Sequence, residues 1–253
     1  MCLPQTQVAG LGANPTRAWA IEVVGLTKSF GNHLALRGID LEVRRGEVLV
    51  IFGPNGAGKT TLIKVLATIM NPSSGRVVVD GLDVKSDAEK IRHRIGVVTH
   101  QTFLYSNLTA YENLEFYSRM YDVPNFRQRI HQVVTMVGMT SRLYDRVGTL
   151  SRGMQQRLSL ARALLHKPAI MLLDEPETGL DQQATSLLWE ALKAEGEGKR
   201  TIILTTHSLE RGLELGDSLV ILAQGKIAYR QSGQALDLAS LKQAYQYSTR
   251  AGA

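Results

Sequence analysis

The sequence predicts an α/β fold with a mostly parallel sheet, an antiparallel β subdomain and an inserted α-helical lobe. Short apolar runs alternate with amphipathic stretches in the second half of the chain, which is typical of parallel strands joined by helices. A glycine-rich loop near residue 53 separates an apolar run from a helical pattern. The length of 253 residues is enough for one such domain with an insertion.

Composition and charge narrow the class of protein. The chain has 44% hydrophobic and 21% charged residues, which are ordinary globular values. Its net charge of +6 is spread without a basic cluster interleaved by aromatic residues, so we expect no nucleic-acid partner. The single cysteine, Cys2, has no partner within the chain and favours a reducing compartment, so a cytoplasmic location is expected.

The first predicted elements are antiparallel strands that lead to a buried strand. Residues 1–19 lack a basic segment followed by an apolar core and are expected to form a disordered tail. Residues 21–24 and 39–43 are apolar or alternate between apolar and polar, which predicts two antiparallel strands. A turn at 45–47 then leads to the apolar strand 48–52.

A phosphate-binding loop follows this strand and opens a helix, as in P-loop NTPases. Its glycines let successive backbone N–H groups point at a polyphosphate, and the helix N-terminus adds positive potential. Lys59 can reach the β- and γ-phosphates, while the Thr60 hydroxyl can ligate Mg²⁺. The expected ligand is Mg-ATP or Mg-GTP. The predicted binding residues are Gly53, Pro54, Asn55, Gly56, Ala57, Gly58, Lys59, Thr60 and Thr61.

A helical lobe is predicted over residues 102–150, between the strands of the parallel sheet. Thr109 and Glu112 have the spacing of a capping box, which predicts a helix from there to Met120. A second helix is predicted over 125–137. Both helices interrupt the alternation of strands and helices, so the lobe is interpreted as an insertion.

The rest of the chain supplies the other elements of the sheet and its cover. The predicted strands are 76–81, 95–98, 170–173, 201–205 and 218–222, and the predicted helices are 153–165, 181–195 and 209–215. A hairpin turn is expected at 223–226, and at most a weak terminal helix after Gln231. These elements span residues 20–228, and residues 229–253 are assigned to a C-terminal extension.

Two carboxylates, Asp174 and Glu175, follow the apolar strand 170–173. The carboxyl end of a parallel strand is where ligands bind in such sheets. Asp174 is therefore predicted to hold Mg²⁺, and Glu175 to polarise the water that attacks the γ-phosphate. Adjacent acids after a strand can also form a plain solvated turn, but the phosphate-binding loop favours the catalytic interpretation.

The segment 150–157, Leu-Ser-Arg-Gly-Met-Gln-Gln-Arg, opens a predicted helix and resembles the signature of the ATP-binding cassette family. The resemblance covers residues 20–228. It implies that Ser151 and Gly153 bind the γ-phosphate held by a second copy of the chain, in an ATP-bound homodimer. Ser151 would cap the helix in any case. Arg152 and Met154 stand where the family has glycine and glutamine, so the packing around the signature must differ.

The same resemblance implies further roles in ATP binding and hydrolysis. Phe30 would stack on adenine, although it could equally be a core phenylalanine. Gln101 would contact Mg²⁺ and water and link the site to the lobe. Asp181 would report on the partner subunit, although it could be a helix cap. His207 would brace the γ-phosphate and Glu175, although elsewhere it would be read as a surface residue. The expected catalytic residues are Glu175, His207, Lys59 and Gln101.

The resemblance implies an ATPase that drives a separate integral membrane transporter subunit from the cytoplasmic face of the membrane. Segment 150–157 together with 97–102 is most similar to the ATP-binding subunits of haem exporters of cytochrome c biogenesis, so haem export is expected. General drug, lipid or ion efflux is the alternative. A cassette ATPase acting on ribosomes or DNA is disfavoured, because such relatives carry two cassettes or a long coiled coil.

Overall fold

The computed structural model describes residues 19–193, 200–232 and 237–250. Most of the expected N-terminal tail lies outside these ranges, and Trp19 begins the first strand. The strands are β1 (Trp19–Phe30), β2 (His33–Arg44), β3 (Val48–Phe52), β4 (Ser74–Val79), β5 (Leu82–Asp83), β6 (Ile95–Val98), β7 (Ile170–Asp174), β8 (Thr201–Thr205), β9 (Ser218–Ala223) and β10 (Lys226–Ser232). The helices are α1 (Lys59–Leu66), α2 (Ala88–Arg92), α3 (Ala110–Met120), α4 (Phe126–Met136), α5 (Arg152–Leu164), α6 (Gln182–Lys193), α7 (Leu209–Leu215) and α8 (Leu238–Arg250).

The antiparallel subdomain is a sheet with the strand order β2-β1-β4-β5 among the described residues. Strands β1 and β2 pair along their whole length, from Trp19 opposite Arg44 to Phe30 opposite His33. Both strands are longer than the sequence patterns at 21–24 and 39–43 indicate. The additional residues bring the Phe30 hairpin end toward the phosphate-binding loop.

The second sheet of the described chain has the strand order β10-β9-β3-β8-β7-β6. Its strands from β9 to β6 are parallel, and β10 pairs antiparallel with β9 through the predicted turn. The predicted α/β class with a mostly parallel sheet is thereby confirmed. The carboxyl ends of β3, β7 and β8 lie side by side at one edge, which is where the loop and the two acids meet.

Burial divides the molecule into layers around the six-stranded sheet. One face packs with the antiparallel sheet and α1, through side chains such as Leu49, Ile63 and Leu172. The other face packs with the helices that follow the lobe, through side chains such as Val50, Leu160 and Leu173. All residues of β7 and β8 are buried. The sheet therefore supplies a rigid frame from which site residues project.

The two helices predicted within the lobe match α3 and α4 to within one residue at each end. The capping box at the start of α3 is confirmed: the Glu112 N–H donates to Thr109 Oγ1 at 3.1 Å, and the Thr109 N–H donates to Glu112 Oε2 at 2.7 Å. Helix α4 packs with α3 and α5 through the buried side chains of Leu114, Ile130 and Leu158. The lobe is thus part of the same hydrophobic cluster as one face of the sheet.

A buried arginine and a half-buried histidine lie where the lobe meets the sheet. Arg162 donates to the Val97 carbonyl at 2.6 Å, and its guanidinium lies 5.2 Å from the Tyr117 ring centroid. Burial holds the pKa of Arg162 below its ordinary value. His166 shares a hydrogen bond with the Ile95 carbonyl and stacks on Tyr121, with 4.2 Å between ring centroids. Burial lowers the pKa of His166 to about 4.

The C-terminal extension contains more structure than the sequence predicts. Instead of at most a weak helix, residues 238–250 form α8. Its Leu241 is fully buried, and Lys242 pairs with Glu210 of α7 at 3.0 Å. Tertiary packing stabilises this helix where local propensity does not. The short elements β5 and α2 also escaped the sequence patterns.

The structure also bears on membrane association. None of the helices in the described ranges combines the length and the apolar character that a membrane crossing requires.

The pKa of His166 predicts acid sensitivity of the fold. The unfolded chain binds this proton below about pH 6.5, whereas the folded chain binds it only near pH 4. The free energy of unfolding therefore decreases as the pH falls from about 6.5 to 4. At pH 5 the protonation of this histidine in the unfolded chain lowers it by about 2 kcal/mol. Urea unfolding at pH 7 and pH 5 is expected to show a smaller loss for His166→Gln than for the parent. His131→Gln, at an exposed histidine, is the control, and equal losses in both variants would contradict the prediction.

Candidate functional site

The phosphate-binding loop curls between the end of β3 and the start of α1, against neighbouring backbone. Gly58, at φ +105°, has no room for a side chain, because a Cβ there would lie 2.8 Å from the Ala35 carbonyl oxygen. At Gly53 a Cβ would lie 2.2 Å from the Leu222 carbonyl oxygen. The loop therefore needs glycine at both positions, one for its approach to β2 and one for its approach to β9.

The Lys59 side chain folds back over the loop. Its Nζ donates to the Gly53 carbonyl at 2.7 Å and to the Pro54 carbonyl at 3.2 Å, and the residue is only 6% exposed. Burial lowers the pKa of Lys59, and the nearby carboxylates of Glu175 and Asp174 oppose that effect. This cation is held at the loop by main-chain acceptors and faces the two acids.

Asp174 is a buried carboxylate that joins three elements. It is 1% exposed, and its Oδ2 accepts a hydrogen bond from the Thr60 hydroxyl at 2.7 Å. Its Oδ1 accepts one from the Thr205 hydroxyl at 2.7 Å. A buried carboxylate is costly unless both oxygens are satisfied. Here the ends of β7 and β8 and the start of α1 meet at this one side chain.

Glu175 projects beyond the strand in a left-handed conformation, at φ +51°. Its N–H is held by Thr205, through the hydroxyl at 3.0 Å and the carbonyl at 3.2 Å. Its carboxylate meets two imidazoles: Oε1 lies 2.5 Å from His207 Nε2, and Oε2 lies 3.4 Å from His100 Nε2. Backbone strain of this kind persists only where surrounding contacts fix it, and Thr205 and His207 supply such contacts.

These groups surround a cavity of about 550 Å³. The Phe30 ring stands at its rim, 46% exposed, with Lys28 Nζ 5.2 Å from the ring centroid. An exposed aromatic face beside a polyphosphate loop can stack on a base. The lining residues are Phe30, His33, Ala35, Pro54, Asn55, Gly56, Ala57, Gly58, Lys59, Thr60, Thr61, His100, Glu175 and His207.

Several residues named from the sequence lie elsewhere. The described residues that line the cavity do not include Ser151, Gly153, Asp181, Gln101, Gly53 or Asp174. Gly53 and Asp174 nevertheless bond to the lining residues Lys59 and Thr60. The Ser151 hydroxyl caps α5 by accepting from the Met154 N–H at 3.3 Å. The Asp181 carboxylate accepts from the Ala184 N–H at 2.7 Å at the start of α6. A single chain therefore brings together the loop, the acids and His207, and leaves the signature helix start apart from them.

Sequence reasoning missed two histidines that line the cavity, His33 and His100. His33 lies opposite Phe30 across the β1–β2 turn, so recognition of a hairpin at Gly31 and Asn32 would have placed it beside the predicted base-stacking residue. His100 precedes Gln101 at the end of β6. The local signal that could have found His100 is Thr99, because a threonine hydroxyl can bond the backbone two residues on and turn the chain there.

A family model described as "ABC transporter" matches residues 36–178. The chain is 37% identical to the ABC transporter ATP-binding protein NatA of Bacillus subtilis over 80% of this chain and 83% of the relative. It is 35% identical to the Nod factor export ATP-binding protein I of Ralstonia nicotianae over 86% of this chain and 67% of that protein. It is also 37% identical to the daunorubicin resistance ATP-binding protein DrrA3 of Streptomyces coeruleorubidus over 82% and 66%.

Solved structures agree with these relatives. A dimeric post-hydrolysis state of the ATP-binding cassette MJ0796, bound to ADP and Pi, matches with a TM-score of 0.77 and 26% identity over 85% of this chain and 100% of that one.

Two of the three relatives are named for export or drug resistance, and none of the three names mentions haem. The expectation of haem export is therefore not supported, and its alternative, general efflux, fits better.

We predict that the Thr205 hydroxyl stabilises the folded chain even when no nucleotide is bound. Thr205→Val keeps the shape but removes one hydrogen bond from the buried Asp174 and one from the Glu175 N–H. We expect the free energy of unfolding to fall by about 1 to 3 kcal/mol, the usual cost of an unsatisfied buried polar group. Urea unfolding would measure this. Thr205→Ser, which keeps the hydroxyl, is the matched control, and equal losses in both variants would contradict the role.

Proposed function

This chain belongs to the ABC transporter family and is an ATP-hydrolysing transporter subunit, and from that premise we propose that it powers export through a separate membrane subunit. The observation that carries the proposal is the convergence of Lys59, Thr60, Asp174, Glu175 and His207 at one edge of the sheet. These residues provide a cation, two metal-ligating oxygens and a base for phosphoryl transfer to water.

The loop and its lysine bind the triphosphate. Backbone N–H groups of residues 55–60 and the start of α1 provide donors and positive potential, and Lys59 adds a charge that reaches the β- and γ-phosphates. The main-chain acceptors that now hold Lys59 Nζ compete weakly with phosphate oxygens, because a charge-assisted bond to phosphate is stronger. Phe30 offers its exposed face to the adenine ring.

The residues at the floor of the site fit Mg²⁺. Thr60 and Asp174 present a hydroxyl and a carboxylate 2.7 Å apart, and oxygen donors are what this ion prefers. Bound there with the nucleotide, Mg²⁺ would neutralise charge on the β- and γ-phosphates. The family resemblance implies Gln101 for the same ion, but the hydrogen bond that joins the Thr60 hydroxyl to Asp174 favours these two residues as the protein ligands.

Glu175 is proposed as the general base. Its carboxylate projects past the strand into the cavity, where it can accept a proton from water that attacks the γ-phosphate. His207 holds one carboxylate oxygen from the loop after β8, so the base keeps its orientation. His207 is also close enough to the same volume to brace the γ-phosphate.

The second half of each site is proposed to come from a second copy. Ser151 and Gly153 begin α5 and lie outside the cavity lining of their own chain. A helix start offers free N–H groups and a positive dipole, which suits a γ-phosphate. Two chains facing head to tail would close two sites at once, and Asp181 would meet the partner. The structural relative MJ0796 was solved as a dimer, which supports this arrangement.

Transport is proposed to occur in a membrane subunit, with this chain docked on its cytoplasmic face. The helical lobe, residues 102–150, is the proposed coupling surface, because it joins the site through the segment after β6. Cargo would bind the membrane subunit, so its identity rests on relatives. Efflux of drugs, lipids or ions is supported by relatives named for daunorubicin resistance and Nod factor export. Haem as the cargo has weaker support, because it rests on the likeness of the signature segment to that of haem exporters.

Replacing the proposed base tests the chemistry. Glu175→Gln removes the proton acceptor but keeps size and hydrogen bonding, so turnover is expected to fall by about 100-fold or more. Binding of ATP should remain, and an ATP-bound dimer should accumulate. Phosphate release and size-exclusion chromatography with ATP measure the two effects. Glu177→Gln, two residues further along, is the control for a nearby loss of charge. Parent-like turnover in Glu175→Gln would remove Glu175 from its role.

Mixing two inactive variants tests the shared site. Lys59→Ala damages the loop, and Ser151→Asp keeps a helix-capping side chain but places a negative charge against the γ-phosphate. Each homodimer is expected to be inactive. In an equal mixture about half of the dimers are mixed, and each has one intact pocket, so about a quarter of parent activity per dimer is expected if pockets act independently. A mixture as inactive as its components would count against the head-to-tail dimer.

A further inference from the structure

We propose that His100, rather than the neighbouring Gln101, is the positioning residue that links Glu175 to the helical lobe. This inference rests on the proposed role of Glu175 as the base. The family resemblance assigned the link to Gln101, but His100 is the residue of this pair that lines the cavity. Its imidazole lies next to the Glu175 carboxylate, and the chain that follows it is bonded to the lobe.

The Glu175 carboxylate lies between two imidazoles that come from different elements. His207, after β8, is 2.5 Å from Oε1, and His100, after β6, is 3.4 Å from Oε2. Each oxygen thus has one imidazole as its neighbour. A carboxylate oxygen has two lone-pair sites, so each oxygen can accept one N–H and still face a water. The pair restricts rotation of the carboxylate and aims it at the cavity.

A side-chain turn explains why His100 faces the site. The buried Thr99 hydroxyl donates to the Gln101 carbonyl at 2.9 Å and accepts from the Gln101 N–H at 3.2 Å. Both bonds fix the backbone of Gln101 against Thr99. His100, at the apex of this turn, is left to point toward Glu175, while the Gln101 side chain is exposed away from the cavity lining.

The segment beyond His100 is fastened to the lobe and to the signature helix. The Thr102 carbonyl accepts from Ser159 of α5 at 3.3 Å. The Phe103 carbonyl accepts from the Tyr117 hydroxyl of α3. The Tyr105 backbone exchanges two hydrogen bonds with the Asn113 side chain, at 2.8 and 3.0 Å. A shift of the lobe therefore moves this segment as a unit and changes the distance from His100 to Glu175.

Imidazole suits this task better than the glutamine side chain. Histidine has two rotatable side-chain bonds and glutamine has three, so histidine loses less conformational freedom when it is held in one place. A hydrogen bond from an Nε2–H donor strengthens as the donor approaches the carboxylate. The present 3.4 Å between His100 Nε2 and Glu175 Oε2 leaves room for that approach. When the lobe closes on the core, His100 would complete the clamp on Glu175. Hydrolysis would then depend on lobe position.

Steady-state ATPase kinetics of the full chain with Mg-ATP test the inference. We expect His100→Ala to lower kcat about tenfold, because positioning of the base is lost, while KM for ATP changes less than about twofold. His100→Gln retains an N–H donor and should recover most of the lost kcat. Gln101→Ala should lose less kcat than His100→Ala. A purely structural role of His100 would not give rescue by glutamine.

Controls separate this inference from the proposed function. His131→Ala removes an exposed histidine of α4 and should match the parent. Equal kcat in His100→Ala and His131→Ala would overturn the inference, as would a larger loss in Gln101→Ala than in His100→Ala. If one of these results is found while Glu175→Gln is inactive, only the role of His100 is overturned, and Glu175 remains the proposed base. If Glu175→Gln keeps parent turnover, the proposed base and the role of His100 are both overturned.

Discussion

The buried carboxylate of Asp174 is the constraint on which the site depends. Water is excluded from it, so both oxygens need donors, and the chain supplies the hydroxyls of Thr60 and Thr205. These hydroxyls come from the helix after the phosphate-binding loop and from the neighbouring strand. Satisfying one charge therefore fixes the loop, β7 and β8 in a common register. The Thr205 hydroxyl also accepts from the Glu175 N–H, so the same contact carries the strained backbone of the base.

The distribution of site residues within the chain gives a physical reason for assembly. The loop, Asp174, Glu175 and His207 converge, whereas the start of α5 at Ser151 stands apart from that cavity. A helix start without a bound anion is satisfied by its cap and by water, at little cost. In the proposed dimer, the γ-phosphate held by the second chain would be a stronger partner for this helix start. Nucleotide can thus supply free energy for association, and its hydrolysis can withdraw it.

The junction between lobe and sheet shows how such an event can be transmitted. Arg162 is buried against Tyr117 and bonds the Val97 carbonyl, so it joins α5, α3 and β6. The segment after β6 is hydrogen-bonded to α3 and α5, and its first residues include His100, which lies next to Glu175. Packed junctions of this kind move as units rather than deform gradually. A displacement of the lobe would therefore reach Glu175, as the proposed coupling to a membrane subunit requires.

Local chemistry in the sequence determined the phosphate-binding loop, the capping box at Thr109, the strands 95–98 and 201–205, and the parallel sheet, because glycine spacing, capping and apolar runs act over a few residues. Tertiary structure decided the rest. Helix α8 exists because Leu241 is buried against distant elements. His33 enters the site across a hairpin, and His100 rather than Gln101 faces Glu175 because the Thr99 hydroxyl fixes the turn. Residue type does not show which side chain of that turn meets Glu175, because Glu175 and His207 arrive there from strands distant in sequence.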